Sequence, residues 1–115
     1  MFESISLSVD ARGVAALTLN RPEKRNALSA LMIDEVTQAA KSLGADPSVR
    51  VVVLGAAGDS FCAGGDLGWM RAQMAGDAAT RADGARRLAM MLQALNTLPK
   101  PLVGRVQGHR ADVGL

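Results

Sequence analysis

The sequence is short of the residues that support several common kinds of site. Its 115 residues include one cysteine, one histidine, one tryptophan, two phenylalanines and no tyrosine. A single cysteine excludes a disulfide within the chain, and one histidine with one cysteine gives no zinc-ligand spacing. The scarcity of aromatic side chains argues against a surface that stacks nucleic-acid bases.

Long apolar runs and a strong charge of either sign are also missing. No run reaches the roughly 18 apolar residues that a membrane helix needs, and the start, MFESISLSVD, is not typical of a signal peptide. The formal net charge is only +2, and the basic residues are scattered. These absences predict a cytoplasmic protein with no metal or other bound cofactor and no nucleic-acid or membrane partner.

The first half of the chain alternates short apolar segments with turns and polar segments. Alternation over 5–9 and an apolar run over 14–19 predict two strands of an antiparallel hairpin. Ser29 is predicted to cap an amphipathic helix over 29–43, and Gly44 is predicted to end it.

The second half predicts two further strands and two further helices. The apolar run over 49–55 predicts a strand that is covered on both faces, and the run over 102–106 predicts another short buried strand. Asp66 is predicted to cap a short helix, and a longer helix is predicted from Ala78 to the prolines of LPKP. The order is therefore β-β-α-β-α-α-β, an α/β layered arrangement within one domain.

The segment DSFCAGGDLGWM, residues 59–70, holds the most distinctive chemistry. A nucleophilic cysteine needs a nearby base, and nothing in the sequence places His109 beside Cys62. We therefore expect Cys62 to be a buried packing residue and His109 to be a solvent-facing loop residue. Neither common phosphate-loop pattern of glycines is present.

The backbone of the two adjacent glycines is the stronger candidate for function. The first amides of a helix lack partners within the helix and lie at its positive end. With Asp66 as the cap, the Gly65 amide is left to point into a cleft, where it suits an oxygen that gains negative charge. From the residues alone, a tight turn that needs glycine remains the alternative.

A basic cluster, defined by Arg21, Lys24 and Arg25, precedes the first helix. Its size suits a phosphorylated small molecule, and a solvated charged loop is the alternative.

Three segments together resemble a known family: LNRPEKRNALS (19–29), DSFCAGGDLGWM (59–70) and LPKPLVGRVQG (98–108). In this order and spacing they are similar to three successive signatures of the enoyl-CoA hydratase/isomerase, or crotonase, superfamily. The second segment is most similar to methylglutaconyl-CoA hydratase-like members. The resemblance implies a ClpP/crotonase-like spiral of β-β-α units, with 1–115 as the N-terminal part of an incomplete domain whose C-terminal half is absent. Without that half, the strands over 49–55 and 102–106 would expose apolar faces and edges.

The resemblance also implies an acyl-CoA thioester ligand, with coenzyme A as part of the substrate. Lys24 and Arg25 would lie near the CoA phosphates, and the Gly65 amide would be one of two oxyanion donors. The resemblance further assigns adenine and pantetheine contacts to the backbone of Asn26, Ala27 and Leu28. The thioester would be wrapped by the glycine segment: Ala63, Gly64, Gly65, Asp66, Leu67 and Gly68.

After VQG the sequence departs from the family. Arg110, Ala111 and Asp112 occupy the region of the glycine run that supplies the second oxyanion amide. One position of a family glutamate is Gly114 here, and the other would lie beyond Leu115.

The family reaction is the reversible hydration of a 2-enoyl-CoA, and we expect this chain alone to be inactive or nearly so. Isomerase or other crotonase chemistry is one alternative. A non-catalytic acyl-CoA-binding or subunit-interaction module is the alternative of another class. The full-length family implies a homo-oligomer, a trimer or a hexamer.

Overall fold

The predicted order of elements is confirmed. A computed structural model describes residues 2–62 and 64–107 of the chain. Its elements are β1 (Ile5–Val9), β2 (Val14–Leu19), α1 (Ala30–Ala45), β3 (Val51–Ala56), α2 (Leu67–Ala75), α3 (Ala78–Asn96) and β4 (Leu102–Gly104), with one 3-10 turn at Pro22–Lys24.

The strands form one mixed sheet in the order β1-β2-β3-β4. β1 pairs antiparallel with β2 as the predicted hairpin, and β3 and β4 then add in parallel. The Asp10 carboxylate closes the hairpin turn, because it accepts hydrogen bonds from the amides of Arg12 at 2.8 Å and Val14 at 3.0 Å. Parallel pairing needs crossovers, which α1 supplies before β3, and α2 with α3 before β4.

The core lies between one face of the sheet and the helices α1 and α3. Along β2, alternate residues point into it, and Ala15, Leu17 and Leu19 are all buried. α1 supplies the largest share of the rest, and its predicted N-cap is confirmed, since the Ser29 hydroxyl accepts from the Met32 amide at 3.2 Å. The buried residues of α1 are Met32, Ile33, Glu35, Val36, Ala39, Ala40 and Leu43.

The predicted end of α1 at Gly44 is wrong. The helix continues through Gly44 to Ala45, and Asp46 caps it by donating its amide to the Leu43 carbonyl at 3.3 Å. A Cβ on Gly44 would lie 3.1 Å from Cδ of Pro99. The glycine therefore serves close packing against the segment before β4 rather than helix termination.

The burial predicted for the third and fourth strands is wrong for this chain, whereas the apolar exposure expected without the C-terminal half is confirmed. In β3, Val52 is fully buried on the core side, whereas Val51 and Val53 are only half-buried on the other side. Every residue of β4 is exposed, and Val103 is 50 % exposed. Among the described strands β4 is at the edge and pairs only with β3, and α1 packs on β1 and β2.

Candidate functional site

The first and second segments of the sequence meet at a short backbone bridge. The Leu28 amide donates to the Gly64 carbonyl at 2.7 Å, and the Asp66 amide donates to the Leu28 carbonyl at 2.8 Å. Gly65 lies between these two bonds. Successive amides of an extended chain point to opposite sides, so the Gly65 amide is directed away from Leu28. Within 2–62 and 64–107, this amide donates no hydrogen bond.

Both glycines of the pair have a physical role in this geometry. Gly64 has a φ of +96°, a conformation that side chains rarely adopt, so the turn into the bridge needs glycine there. A Cβ on Gly65 would lie 3.0 Å from Sδ of Met70 and 3.7 Å from Cε3 of Trp69. The first two turns of α2 therefore pack directly against the Cα of Gly65.

Asp66 anchors the start of α2, and its predicted capping role is confirmed. Its Oδ1 accepts from the Trp69 amide at 3.0 Å, and its Oδ2 accepts from Nη2 of Arg21 at 3.1 Å. The Trp69 amide and the Arg21 guanidinium outweigh burial and hold the pKa of Asp66 below its usual range. Asp66 is thus a carboxylate at neutral pH, committed to structure rather than to proton transfer.

The three residues of the basic cluster do not share one environment. The Arg21 side chain is mostly buried, and its Nη1 donates a hydrogen bond to the Ala27 carbonyl at 3.0 Å while its Nη2 donates to Asp66. Lys24 and Arg25 are exposed. Arg21 is therefore committed to Asp66, which the sequence did not show, and only Lys24 and Arg25 of the cluster are left to meet a phosphate.

Asn26 has a role that sequence reasoning missed. Its side chain is fully buried, and its backbone is left-handed with a φ of 55°. Its Oδ1 accepts from the Arg21 amide at 2.7 Å, while Nδ2 donates to the carbonyls of Ala57 at 2.8 Å and Ser60 at 2.9 Å. The side chain therefore ties the first segment to the loop after β3. Asparagine's tolerance of left-handed backbone was the one available signal.

A shallow pocket of about 440 Å³ adjoins this tie, lined by Pro22, Arg25, Gly58, Asp59 and Ser60. Its charged lining groups are the Arg25 guanidinium and the Asp59 carboxylate. A groove of about 420 Å³ between α1 and α3 contains no residue of the first two segments. We therefore place the candidate site at the bridge and the adjoining pocket.

The third segment reaches the same loop through Gln107. The side-chain Nε2 of Gln107 donates to the Ala56 carbonyl at 2.7 Å and to the Gly58 carbonyl at 3.1 Å. The backbone carbonyl of Gln107 accepts from the Phe61 amide at 3.1 Å. All three segments are thus joined around the residues that follow β3.

The remaining predicted site residues differ in exposure. Leu67 is 65 % exposed, Gly68 is exposed and Ala27 is buried. Cys62 is half-buried against the core rather than fully buried, with its Sγ 3.9 Å from the Gly64 carbonyl. Several predictions fall outside the described residues: those on Ala63, His109, Arg110, Ala111, Asp112 and Gly114.

Two further observations concern the described part of the chain. No group of three or more histidine, cysteine, aspartate or glutamate side chains there could hold a metal ion. None of the helices described is long and apolar enough to cross a membrane.

The fold and the joined segments define an α/β protein with a glycine loop between a parallel strand and a capped helix. Residues 10–115 match the sequence profile described as enoyl-CoA hydratase/isomerase. The chain therefore belongs to the enoyl-CoA hydratase/isomerase family, and the resemblance noted in its three segments is confirmed.

Individual relatives agree with the family. A probable enoyl-CoA hydratase of Mycobacterium tuberculosis is 40 % identical over 105 residues, covering 91 % of this chain and 40 % of that protein. The 1,2-epoxyphenylacetyl-CoA isomerase of Escherichia coli is 34 % identical over 115 residues, covering 99 % of this chain and 44 % of that protein.

Solved structures confirm the predicted fold class. The crystal structure of an enoyl-CoA hydratase from Shewanella pealeana matches with a TM-score of 0.90 and 34 % identity, over 93 % of this chain and 40 % of that one. An enoyl-CoA hydratase from Mycobacterium smegmatis matches with a TM-score of 0.84 and 40 % identity, over 90 % of this chain and 40 % of that one. The chain thus spans about 40 % of the length of these relatives.

Proposed function

We propose that this chain binds an acyl-CoA thioester and supplies one half of the oxyanion hole of an enoyl-CoA hydratase site. The observation that carries the proposal is the Gly65 amide. It donates no hydrogen bond within the described residues, and it lies between two bonds that fix its direction. A preorganised donor of this kind is suited to an oxygen that becomes charged during reaction.

Hydration of a 2-enoyl-CoA creates such an oxygen. The oxygen of water bonds to the β-carbon as a base takes one proton from that water, and the electrons of the double bond move through the conjugated system onto the thioester oxygen as an enolate. A proton then adds to the α-carbon and the carbonyl re-forms. Removing one donor to the enolate costs about 3 kcal/mol of barrier in comparable sites.

The coenzyme A portion is assigned to the first segment. Lys24 and Arg25 are exposed and free to meet phosphates, and the pocket beside Arg25 has room for part of the nucleotide. Asp59 on the same pocket would repel a phosphate placed directly against it. We therefore assign the phosphates to the outer side of the pocket, toward Lys24.

The proposal assigns binding, rather than proton transfer, to the described residues. Asp66 is the carboxylate at the glycine loop, and Trp69 and Arg21 already occupy both of its oxygens. We accordingly propose that residues 1–115 form the N-terminal part of the family's domain and bind without appreciable turnover. The homo-oligomer and the cytoplasmic location stay predictions.

Isomerase chemistry is the second candidate, and its support is the similarity to the E. coli isomerase. An isomerisation that passes through a thioester enolate would use the same Gly65 donor. The two candidates would differ in acid and base groups, so a ligand that mimics the enolate tests what they share.

Calorimetric titration with CoA, butyryl-CoA and acetoacetyl-CoA tests the proposal. The α-carbon of the β-keto thioester readily loses a proton to solvent, which gives an enolate whose thioester oxygen carries charge that the butyryl ligand lacks. A hydrogen bond to a charged acceptor contributes about 1.5–3 kcal/mol, which corresponds to about 10- to 100-fold in affinity. We expect acetoacetyl-CoA to bind tightest by roughly this factor.

Two variants isolate the amide. Gly65→Ala keeps the N–H, and its Cβ meets mainly the flexible Met70 side chain, so the preference should persist. Gly65→Pro removes the N–H while the bonds of Gly64 and Asp66 to Leu28 remain possible, so the preference should disappear. Retention of the preference by Gly65→Pro, or absence of acyl-CoA binding by the unmodified chain, contradicts the proposal. Crotonyl-CoA turnover that survives Gly65→Pro would likewise exclude the donor role.

A further inference from the structure

One ion pair differs from the others in the described residues. The side chains of Arg21 and Asp66 are only 20 % and 19 % exposed. The side chains of the other pairs are between 40 % and 79 % exposed. Exposed pairs contribute little because water and salt screen them. The Arg21–Asp66 pair is shielded enough to hold a fixed geometry.

The position of this pair relative to the bridge is specific. Asp66 directly follows Gly65, and Ala27 directly precedes Leu28. The Arg21 guanidinium holds both neighbours, with Nη2 on the Asp66 carboxylate at 3.1 Å and Nη1 on the Ala27 carbonyl at 3.0 Å. A planar fork of this kind fixes direction as well as distance. Arg21 therefore clamps the two chains that the Leu28–Gly65 bridge joins.

Apolar packing does little to orient the same region. Helix α2 has no buried residue, and its Met74 is 79 % exposed. The side chains that hold α2 in place are the half-buried Trp69, which packs on the core, and Gln73, which lies over Gly84 of α3. The direction of the Gly65 peptide thus depends on the two bridge bonds to Leu28 and on the polar ties at the start of α2 that hold this bridge in place.

We propose that Arg21 is a positioning residue for the Gly65 amide, which it orients through Asp66 and the Ala27 carbonyl. This inference rests on the proposed oxyanion role of Gly65. Arg21 contacts no substrate in this account. Its loss lets the peptide rotate or shift, and a displacement of about 1 Å can cost about 100-fold where geometry controls a reaction.

The test compares the affinity of the 115-residue chain for acetoacetyl-CoA with its affinity for CoA. A general structural defect weakens both ligands alike, whereas misdirection of the Gly65 amide lowers only the preference for the enolised thioester. We expect Arg21→Gln to lower this preference by about 10-fold. Arg21→Lys keeps the charge but cannot form the fork, so it should restore only part of the preference.

A second variant removes the ion pair without removing the helix cap. Asp66→Asn leaves an equally good N-cap and should lower the preference as much as Arg21→Gln. The double variant should lose no more than either single variant, because both changes break the same pair. Arg87→Gln is the matched control, since it breaks only exposed pairs: one of 3.2 Å to Asp34 between α3 and α1, and one of 3.0 Å to Asp83 within α3. The preference of this variant for acetoacetyl-CoA should equal that of the unmodified chain.

The outcomes separate the two proposals. If the unmodified chain shows no preference for acetoacetyl-CoA, the donor role of Gly65 fails and the positioning role fails with it. If that preference exists and persists in folded Arg21→Gln and Asp66→Asn, only the positioning role is overturned. A parallel loss of affinity for CoA and acetoacetyl-CoA also overturns it, because it assigns Arg21 a structural role alone.

Discussion

Replacing Asn26 with alanine tests how the first segment is held against the loop after β3. The substitution leaves one amide and two carbonyls without the partner that the asparagine side chain provides, at 2.7, 2.8 and 2.9 Å. Each lost bond in a buried setting costs about 1 kcal/mol or more. Alanine in the left-handed conformation at φ 55° costs about 1 kcal/mol further.

The expected loss of unfolding free energy is therefore about 4 kcal/mol, a large part of the 5–15 kcal/mol that typical domains possess. Urea titration followed by circular dichroism should show a midpoint lower by about 2 M. Asn26→Gly should recover about 1 kcal/mol of the loss, since glycine adopts the left-handed conformation freely.

Asn20→Ala is the matched control on the same connection. Asn20 is exposed, and its side chain makes no hydrogen bond to the described residues. Its substitution should change the unfolding free energy by less than about 0.5 kcal/mol. The reasoning is refuted if Asn26→Ala costs under about 1 kcal/mol or no more than Asn20→Ala.

Three further predictions concern stability. Glu35→Gln should lower the melting temperature by about 10 °C in calorimetry, because the buried carboxylate accepts the amides of Glu3 and Ser4 at 2.9 and 2.8 Å; an unchanged melting temperature would count against this anchor. Burial raises the pKa of Glu35, but hydrogen bonds from the Ser4 hydroxyl and from the amides of Ser4 and Glu3 outweigh burial and leave the pKa lowered. The stabilisation is thus present above the ordinary pKa of 4.5 and lost as the pH falls below it, so urea midpoints should fall between neutral and about pH 3, less steeply in Glu35→Gln. Gly13→Ala should destabilise by about 2 kcal/mol or more, because φ is +85° and the new Cβ would lie 2.6 Å from the Ser48 carbonyl. Gly55→Ala, with its nearest neighbour at 4.0 Å, should unfold at nearly the normal urea concentration.

The sequence predicted those features of the fold that depend on local patterns. The caps at Ser29 and Asp66 and the order of the elements follow from spacing within a few residues. The end of α1 was missed because Gly44 meets Pro99, a contact that helix patterns do not encode. The exposure of β4 could be expected only from the family resemblance, because an apolar run predicts a strand but not what covers it.

At the site, too, contacts between sequence neighbours could be predicted, whereas contacts between residues far apart in the sequence could not. The glycine pair and the helix cap are adjacent in sequence, so their juxtaposition could be predicted. Arg21 and Asp66 are 45 positions apart, and the Asn26 side chain bonds carbonyls 31 and 34 positions away. These ties depend on how the loops fold together, and charge or spacing along the sequence does not specify them.

The central claim, that the Gly65 amide donates to a thioester oxygen, is tested most directly by nuclear magnetic resonance of the ¹⁵N-labelled chain. Titration with acetoacetyl-CoA should move the Gly65 amide proton downfield to saturation, because its hydrogen bond forms to a charged oxygen. CoA, which has no thioester, should shift residues of the first segment and leave Gly65 nearly unmoved. A Gly65 resonance that stays in place while acetoacetyl-CoA binds would contradict the account.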